Sequence, residues 1–124
     1  MFMKDYGEQT YALLRIIAGF LFFFHGTQKL FGFPLAVPEA PAFVLYGAGI
    51  IELVGGILVM VGFYTRWAAF VCSGLMAAAY WMAHGTQALF PIANQGELAA
   101  LYCFVFLCIS ARGAGMWAMD AANA

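Results

Sequence analysis

Charged residues are scarce in this 124-residue chain. Lys, Arg, Asp and Glu together make up 9% of the sequence, whereas hydrophobic residues make up 65%. Soluble domains carry roughly 25% charged residues, and a domain this small buries only about two-thirds of its surface. So much apolar side chain cannot be hidden from water, which predicts that the chain lies in a lipid bilayer. The net charge of −1 also argues against nucleic acid as a partner, since phosphate binding needs a concentrated basic surface.

Secretory and redox motifs are missing as well. The N-terminus mixes Lys4, Asp5 and Glu8, lacks a positive leading region, and is followed by no small-x-small cleavage pattern. We therefore expect the first apolar run to be retained as a helix. The three cysteines lie in apolar runs without a C-x-x-C pair, which favours packing roles over a redox pair. The chain also lacks a dinucleotide fingerprint, a haem-attachment motif and an iron–sulfur cysteine set.

Four apolar segments are long enough to cross a bilayer as helices, since a crossing takes about 20 residues. Pro34 and Pro38 cannot continue a helix and mark the first loop. The second connection, 64–66, is so short that its flanking helices should form a hairpin. None of the segments shows the period of two of a membrane β-barrel. We predict one all-α domain over residues 1–124, an antiparallel bundle of four transmembrane helices at about 11–31, 43–64, 67–84 and 97–116.

The positions of Lys and Arg predict the orientation of this bundle. Lys4 and Arg15 lie near the N-terminus, Arg66 in the second loop and Arg112 near the end of the fourth segment, and Lys29 alone lies on the opposite side. Both termini should therefore be cytoplasmic, with the first and third loops outside. We predict structural roles for Arg15, Arg66 and Arg112, the last two as anchors at the cytoplasmic interface.

Polar residues on the first two segments lie on shared faces. One stripe of the first helix, with a spacing of three and four, contains Arg15, Ala18, Phe22, His25 and Lys29. Glu52 lies near the middle of the second segment, with a glycine about one turn away on either side. Small residues let membrane helices approach closely, so Glu52 should point toward another helix. It is either a structural acid paired with Lys29, His25 or Arg15, or a proton or ligand group.

The last two segments add polar residues at the same outer side. Tyr80 and His84 lie on one stripe of the third helix, and Asn94 followed by Glu97 resembles a capping box at the start of the fourth. Titratable groups beside an apolar slot suit a proton-exchanging quinone head group, while no motif fixes the geometry of a metal site. The predicted ligand-binding residues, which share the outer half of the bundle, are His25, Lys29, Glu52, Tyr80, His84, Asn94 and Glu97.

Three motifs in order resemble the DoxX family. LRIIAGFLFFFHGTQKLFG resembles its arginine followed by HG-x-x-K-L-F-G, GIIELVGGILVMVGFYTRWAA resembles its E-x-x-G-G stretch, and NQGELAALYCFVFL is similar to its N-x-G-E pattern. The resemblance runs from about Leu14 to Asp120. It implies a four-helix protein of the bacterial or archaeal cytoplasmic membrane, related to subunits linked to a quinol oxidase and a thiosulfate:quinone oxidoreductase. It also implies that the recurrent polar positions are Arg15, His25, Lys29, Glu52, Arg66, Asn94 and Glu97.

Several functions remain open at this point. The leading hypothesis is an integral membrane component of a quinone-linked oxidoreductase system, with quinone as the candidate cofactor and partner subunits delivering electrons. The main alternative is a non-enzymatic membrane scaffold or small-molecule carrier, and the repeat of HGTQ at 25–28 and 84–87 would suit the paired halves of a carrier. A second alternative is a haem or metal site using His25 and His84. The candidate partners are the lipid bilayer, other membrane or redox subunits, and a second copy of the chain.

Overall fold

Helices account for most of the folded chain. The computed structural model describes residues 2–121, and no strand occurs in that range. The predicted all-α class is therefore confirmed. A 3-10 turn, Lys4–Tyr6, precedes the first helix, and one π-helical turn, Tyr80–His84, continues the third. The helices are α1 Gly7–Phe31, α2 Ala42–Val61, α3 Thr65–Ala79, α4 Pro91–Asn94 and α5 Glu97–Arg112.

Two helices end earlier than the sequence predicts, and a glycine explains each case. α2 ends at Val61 rather than near 64, because Gly62 adopts a left-handed conformation with φ 71°. α5 ends at Arg112 rather than near 116, before Gly113 at φ 84°. Glycine reaches positive φ without the steric penalty of a Cβ and so commonly ends helices. The chain after Arg112 is therefore free to fold back over the helix ends.

Large apolar side chains point away from the interior of the protein. They recur at spacings of three and four on one face of α1, α2 and α5, so that each of these helices presents an apolar stripe to its surroundings. By contrast, the buried residues include Arg15, Glu52 and Asn94, each at most 1% exposed. Water disfavours such extended apolar surfaces, whereas hydrocarbon suits them. The outward residues include Leu13, Ile17 and Phe20 of α1, Ile50, Val54 and Ile57 of α2, and Leu101, Phe104 and Leu107 of α5.

Two helical stretches, Lys4–Phe31 and Ala42–Val61, are long and apolar enough to cross a membrane. α5 has 16 residues, which at 1.5 Å per residue is about 24 Å, shorter than a hydrocarbon core of about 30 Å. Length and composition thus identify two of the four predicted spans.

α1 and α2 run antiparallel with their backbones almost in contact. A Cβ placed on Gly26 would lie 2.5 Å from the backbone nitrogen of Leu53, and one placed on Gly56 would lie 2.8 Å from a backbone nitrogen of α1. Any side chain at these positions would therefore meet main chain. Glu52 is buried on this same glycine-lined face of α2, as the glycine spacing predicts. The close approach fixes Glu52 against α1.

α3 and α5 form a second antiparallel pair. The Ser73 hydroxyl donates to the Cys103 carbonyl at 2.7 Å, and Arg66 donates to carbonyls at the end of α5. Phe22 of α1 joins the two pairs, since its ring centroid lies 4.7 Å from that of Phe106. We call the end with residues 7–15, 61–66 and 109–121 the terminal end, and the opposite end, with Lys29 and the long loops, the distal end.

Candidate functional site

A buried ion pair lies toward the distal end of α1 and α2. Lys29 Nζ lies 2.9 Å from Oε1 and 3.0 Å from Oε2 of Glu52. The Glu52 side chain is only 2% exposed, and that of Lys29 is 18% exposed. Removing one partner of such a pair leaves an uncompensated buried charge, which costs roughly 3–5 kcal/mol. Of the partners that the sequence allows for Glu52, the structure selects Lys29.

His25 lies one helical turn before Lys29 and next to α5. Its ring centroid is 6.0 Å from that of Tyr102, with the two planes at 87°. Neither the imidazole of His25 nor the hydroxyl of Tyr102 forms a hydrogen bond with another residue in the range 2–121. The predicted residues His25, Lys29 and Glu52 therefore form one group, which we call the distal group. Tyr102, which lies in an apolar run of the sequence, adjoins this group.

A second cluster of polar residues forms hydrogen bonds within the segment that precedes α5. Asn94 donates to the Tyr80 hydroxyl at 3.0 Å and to the Ala88 carbonyl at 3.2 Å, and its side-chain oxygen accepts the Gly96 N–H at 2.8 Å. His84 Nδ1 lies 3.1 Å from the Asn94 carbonyl oxygen. A carbonyl only accepts, so Nδ1 donates and Nε2 is left as an acceptor in the neutral ring. Tyr80, His84 and Asn94 thus lie together, and we call them the loop group.

Glu97 takes no part in the hydrogen bonds of either group. Its side chain is exposed and forms no hydrogen bond with another described residue. The predicted capping box is wrong, because Asn94 belongs to α4 and the residue that caps α5 is Gly96, without a side-chain bond. Glu97 lines a recess of about 570 Å³ whose other lining residues, all apolar, are Pro91, Leu98, Ala100, Leu101 and Phe104.

The distal group and the loop group remain separate in their contacts. No hydrogen bond joins them among residues 2–121. Within the same range, no three residues of the types His, Cys, Asp and Glu come close enough together to hold a metal ion. The distal group combines a paired cation and anion with an imidazole, which are side-chain types able to donate hydrogen bonds and transfer protons.

Arg15 organises the terminal end. Its side chain is fully buried and lies on α1, where the sequence predicts a structural charge. It donates to the carbonyl of Val59 at 3.0 Å, to that of Met116 at 3.0 Å, to that of Trp117 at 2.7 Å and to that of Ala114. Three of these carbonyls follow α5, so Arg15 fastens the C-terminal segment to α1 and α2. Each bond is charge-assisted and therefore stronger than a neutral one.

Asp120 is a second terminal-end residue, and no pattern in the sequence points to it. Its carboxylate accepts the backbone N–H groups of Tyr64 and Thr65 at 3.1 and 2.9 Å, and the Thr65 hydroxyl at 2.8 Å. It therefore caps the start of α3. Desolvation raises the pKa of Asp120, but the hydrogen bonds from Thr65 and Tyr64 and the nearby charge of Arg15 outweigh it and hold that pKa below its ordinary value. A cap that lies so far along the chain has no local sequence signature.

Arg66 and Arg112 also lie at the terminal end. Arg66 donates to carbonyls in the last turn of α5, where a cation offsets the negative end of the helix dipole. The Ser110 hydroxyl donates back to the Arg66 carbonyl at 2.9 Å. The guanidinium of Arg112 lies 4.7 Å from the centre of the Tyr11 ring. Both arginines therefore contact the protein itself at the end where the sequence predicts anchors.

The all-helical fold, the outward apolar faces and the buried polar groups define a small helical membrane protein. Residues 10–85, which are more than half of the chain, match the DoxX family. The chain belongs to the DoxX family. Its outward apolar side chains are therefore the surface that contacts lipid.

Two relatives extend this comparison. An uncharacterized protein of Haemophilus influenzae is 42% identical over 125 residues, which cover 95% of this chain and 93% of that protein. CatD of Bacillus subtilis, provisionally described as an oxidoreductase, is 41% identical over 59 residues, 44% of this chain and 44% of CatD. The similarity to CatD thus spans less than half of either protein. No solved structure matches the chain significantly.

Proposed function

We propose that the chain crosses the cytoplasmic membrane four times as an antiparallel bundle, with both termini in the cytoplasm. The helix contacts support this topology, because Arg15, Arg66 and Arg112 lie at the terminal end and Lys29 lies toward the other. A bilayer adapts to a short helix such as α5 by thinning locally, at a fraction of a kcal/mol per Å. Labelling of Ala36→Cys, but not Ala118→Cys, by an impermeant maleimide on intact cells is the expected result, and the reverse would overturn the orientation.

We further propose that the distal group binds the head group of a quinone within a membrane oxidoreductase system. The observation that carries this proposal is a buried ion pair, Lys29–Glu52, beside a His25 imidazole that has no hydrogen-bond partner among the described residues. Ionisable groups within a bilayer are costly and commonly mark function. The similarity to CatD favours redox chemistry over other uses of such a site.

In this proposal the chain supplies binding and protons, and other subunits supply electrons. Lys29 can donate a hydrogen bond to a quinone carbonyl while Glu52 balances its charge. His25 supplies an imidazole nitrogen beside the pair that can accept a proton from the ligand, which is a common role of this side chain. The sequence contains no dinucleotide fingerprint and no iron–sulfur cysteine set, so the electron carrier would belong to a partner.

The test is quinone binding by the purified protein in lipid nanodiscs. Decylbenzoquinone is titrated while tryptophan fluorescence is followed. Saturable binding by the wild type, weakened more than tenfold in the double variant Lys29→Gln/Glu52→Gln, is expected. The double variant removes both charges and so leaves no buried charge unpaired. Glu39→Gln, which neutralises an exposed acid of the first loop, is the matched control and should bind as the wild type does. Absence of saturable binding by the wild type would refute the proposal.

A membrane scaffold is the second candidate, and a different observation favours it. Lys29 and Glu52 satisfy each other at 2.9 Å, beside a helix contact with almost no space for side chains. A scaffold needs only such helix packing and charge pairing. It predicts that Lys29→Gln/Glu52→Gln co-purifies with the same partners and supports the same cellular redox activity as the wild type. Intact assembly with loss of that activity would instead favour the quinone site.

A further inference from the structure

Tyr102 has an unused hydroxyl in a mostly buried position. The residue is only 8% exposed, yet its hydroxyl forms no hydrogen bond with any other residue in the range 2–121. A buried Tyr hydroxyl usually finds a partner. Among the described residues, the fully enclosed side-chain polar atom that lacks a partner is Oε1 of Gln9. The Tyr102 hydroxyl is therefore not fully enclosed by the protein.

Tyr102 contacts two phenylalanine rings and the imidazole of His25. Its ring stacks on Phe106 at a centroid distance of 5.6 Å and an angle of 13°, and Phe22 lies 5.2 Å away. The His25 ring stands edge-on to it at 6.0 Å. The imidazole, too, has no hydrogen-bond partner among residues 2–121. One unused donor and one unused imidazole thus lie side by side, and the buried rings of Phe22 and Phe106 hold Tyr102 in place.

We propose that Tyr102 and His25 form a donor–acceptor pair that selects a flat ring carrying two oxygens, as a hydroquinone or quinone does. The Tyr102 hydroxyl donates to one ring oxygen, and a hydroquinone hydroxyl donates to an imidazole nitrogen of His25. This assignment rests on the proposed quinone site and adds to it a specificity residue from α5. It also gives His25 a defined role, as the acceptor that distinguishes the reduced ligand.

The reduced and oxidised ligands differ in what they offer this pair. Both present an oxygen that can accept from Tyr102, but only the hydroquinone has a hydroxyl that can donate to His25. A hydroquinone whose hydroxyls are methylated keeps the ring and the tail and loses the donors. Because an unmatched buried polar group is costly, the pair should reject that ether.

The experiment compares three probes in nanodiscs: decylhydroquinone, decylbenzoquinone and the dimethyl ether of decylhydroquinone. The wild type should bind the hydroquinone about fivefold to tenfold more tightly than the ether, the effect of one hydrogen bond. Tyr102→Phe should weaken the hydroquinone and the quinone by a similar factor, with an unchanged melting temperature because the hydroxyl has no described protein partner to lose. His25→Phe should abolish the preference for the hydroquinone over the ether.

Tyr46→Phe is the matched control, since it removes a hydroxyl from a residue that is 62% exposed on α2. It should bind all three probes as the wild type does. If the wild type binds quinone and Tyr102→Phe binds equally well, the Tyr102 assignment is overturned while the quinone site stands. A lower melting temperature for Tyr102→Phe would show that the hydroxyl is structural and would also overturn the assignment. If the wild type binds neither quinone nor hydroquinone, the proposed function itself fails.

Discussion

The contact between α1 and α2 makes Gly26→Ala an informative substitution. A Cβ at this position would lie 2.5 Å from the Leu53 nitrogen, 2.8 Å from the Gly49 oxygen and 2.9 Å from the Leu53 Cα. All three are main-chain atoms, so no side-chain rotation relieves the clash. Ordinary contact begins at 3.4 Å, and the helices would have to separate by about 0.9 Å (3.4 minus 2.5) at this point.

The magnitude follows from two opposing effects. Overpacking of a well-packed interface costs typically about 1–3 kcal/mol, and a clash with three backbone atoms belongs in the upper part of that range. Replacing Gly by Ala within a helix returns up to about 1 kcal/mol through backbone entropy. Gly47→Ala isolates the second effect, because no atom of another helix lies within 4 Å of a Cβ at Gly47. The two variants should therefore differ in unfolding free energy by about 2–3 kcal/mol.

The assay is equilibrium unfolding in mixed micelles with increasing SDS, followed by circular dichroism. Gly26→Ala should unfold at a lower SDS fraction than the wild type, and Gly47→Ala at the same or a higher one. The separation of α1 from α2 should also loosen the Lys29–Glu52 pair, so quinone binding should weaken in Gly26→Ala alone. Equal stability of the two alanine variants would refute the inference that these backbones are in contact.

Three further predictions concern the terminal end. Arg15→Met should destabilise the protein by roughly 3–5 kcal/mol in the same SDS assay, because the carbonyl partners of Arg15 lose their donor. Arg15→Lys should retain only part of the lost stability. A neutral effect of Arg15→Met would contradict the structure. Asp120 has a lowered pKa in the folded state, so the stability that its carboxylate contributes is fully present above its unfolded pKa of about 3.8 and is lost as the pH falls through the folded pKa. Asp120→Asn should therefore make the melting temperature fall less steeply at acid pH than in the wild type. An unchanged fall would contradict the role of Asp120 as the cap of α3. Tyr11→Phe removes the 2.6 Å hydrogen bond to the Gly113 carbonyl and should lower the free energy of unfolding by about 1 kcal/mol. A loss below about 0.3 kcal/mol would show that the C-terminal segment does not depend on this hydrogen bond.

The sequence predicted the distal group better than the terminal end, for a physical reason. Helical spacing places His25 one turn from Lys29, and the glycines beside Glu52 indicate which face of α2 meets another helix. These are local patterns with a period of 3.6 residues. The Lys29–Glu52 pair could therefore be named in advance as one of three pairings, and the structure selects it by bringing α1 and α2 into backbone contact.

Asp120 and Tyr102 show where such patterns stop. Asp120 acts on Tyr64 and Thr65 only because the chain turns back after Gly113, and no spacing rule predicts that path. Tyr102 sits in an apolar run where a packing aromatic and a binding aromatic look the same. The Asn94–Glu97 spacing matched a capping box, but a short helix, α4, takes up Asn94 instead. The path of the C-terminal segment and the short helix before α5 are thus what the sequence alone did not supply.

The network around Arg15 and Asp120 limits how the molecule can move. It ties the ends of α1, α2, α3 and α5 together through one C-terminal segment, with Met119 and Asp120 also donating to carbonyls at the end of α2. Relative motion of the helices must then pivot about the terminal end and be largest at the distal end. A transporter that opens alternately to both sides would have to break this network in every cycle. A site that a ligand enters sideways from one leaflet, between helices that part only at their distal tips, would leave the network intact.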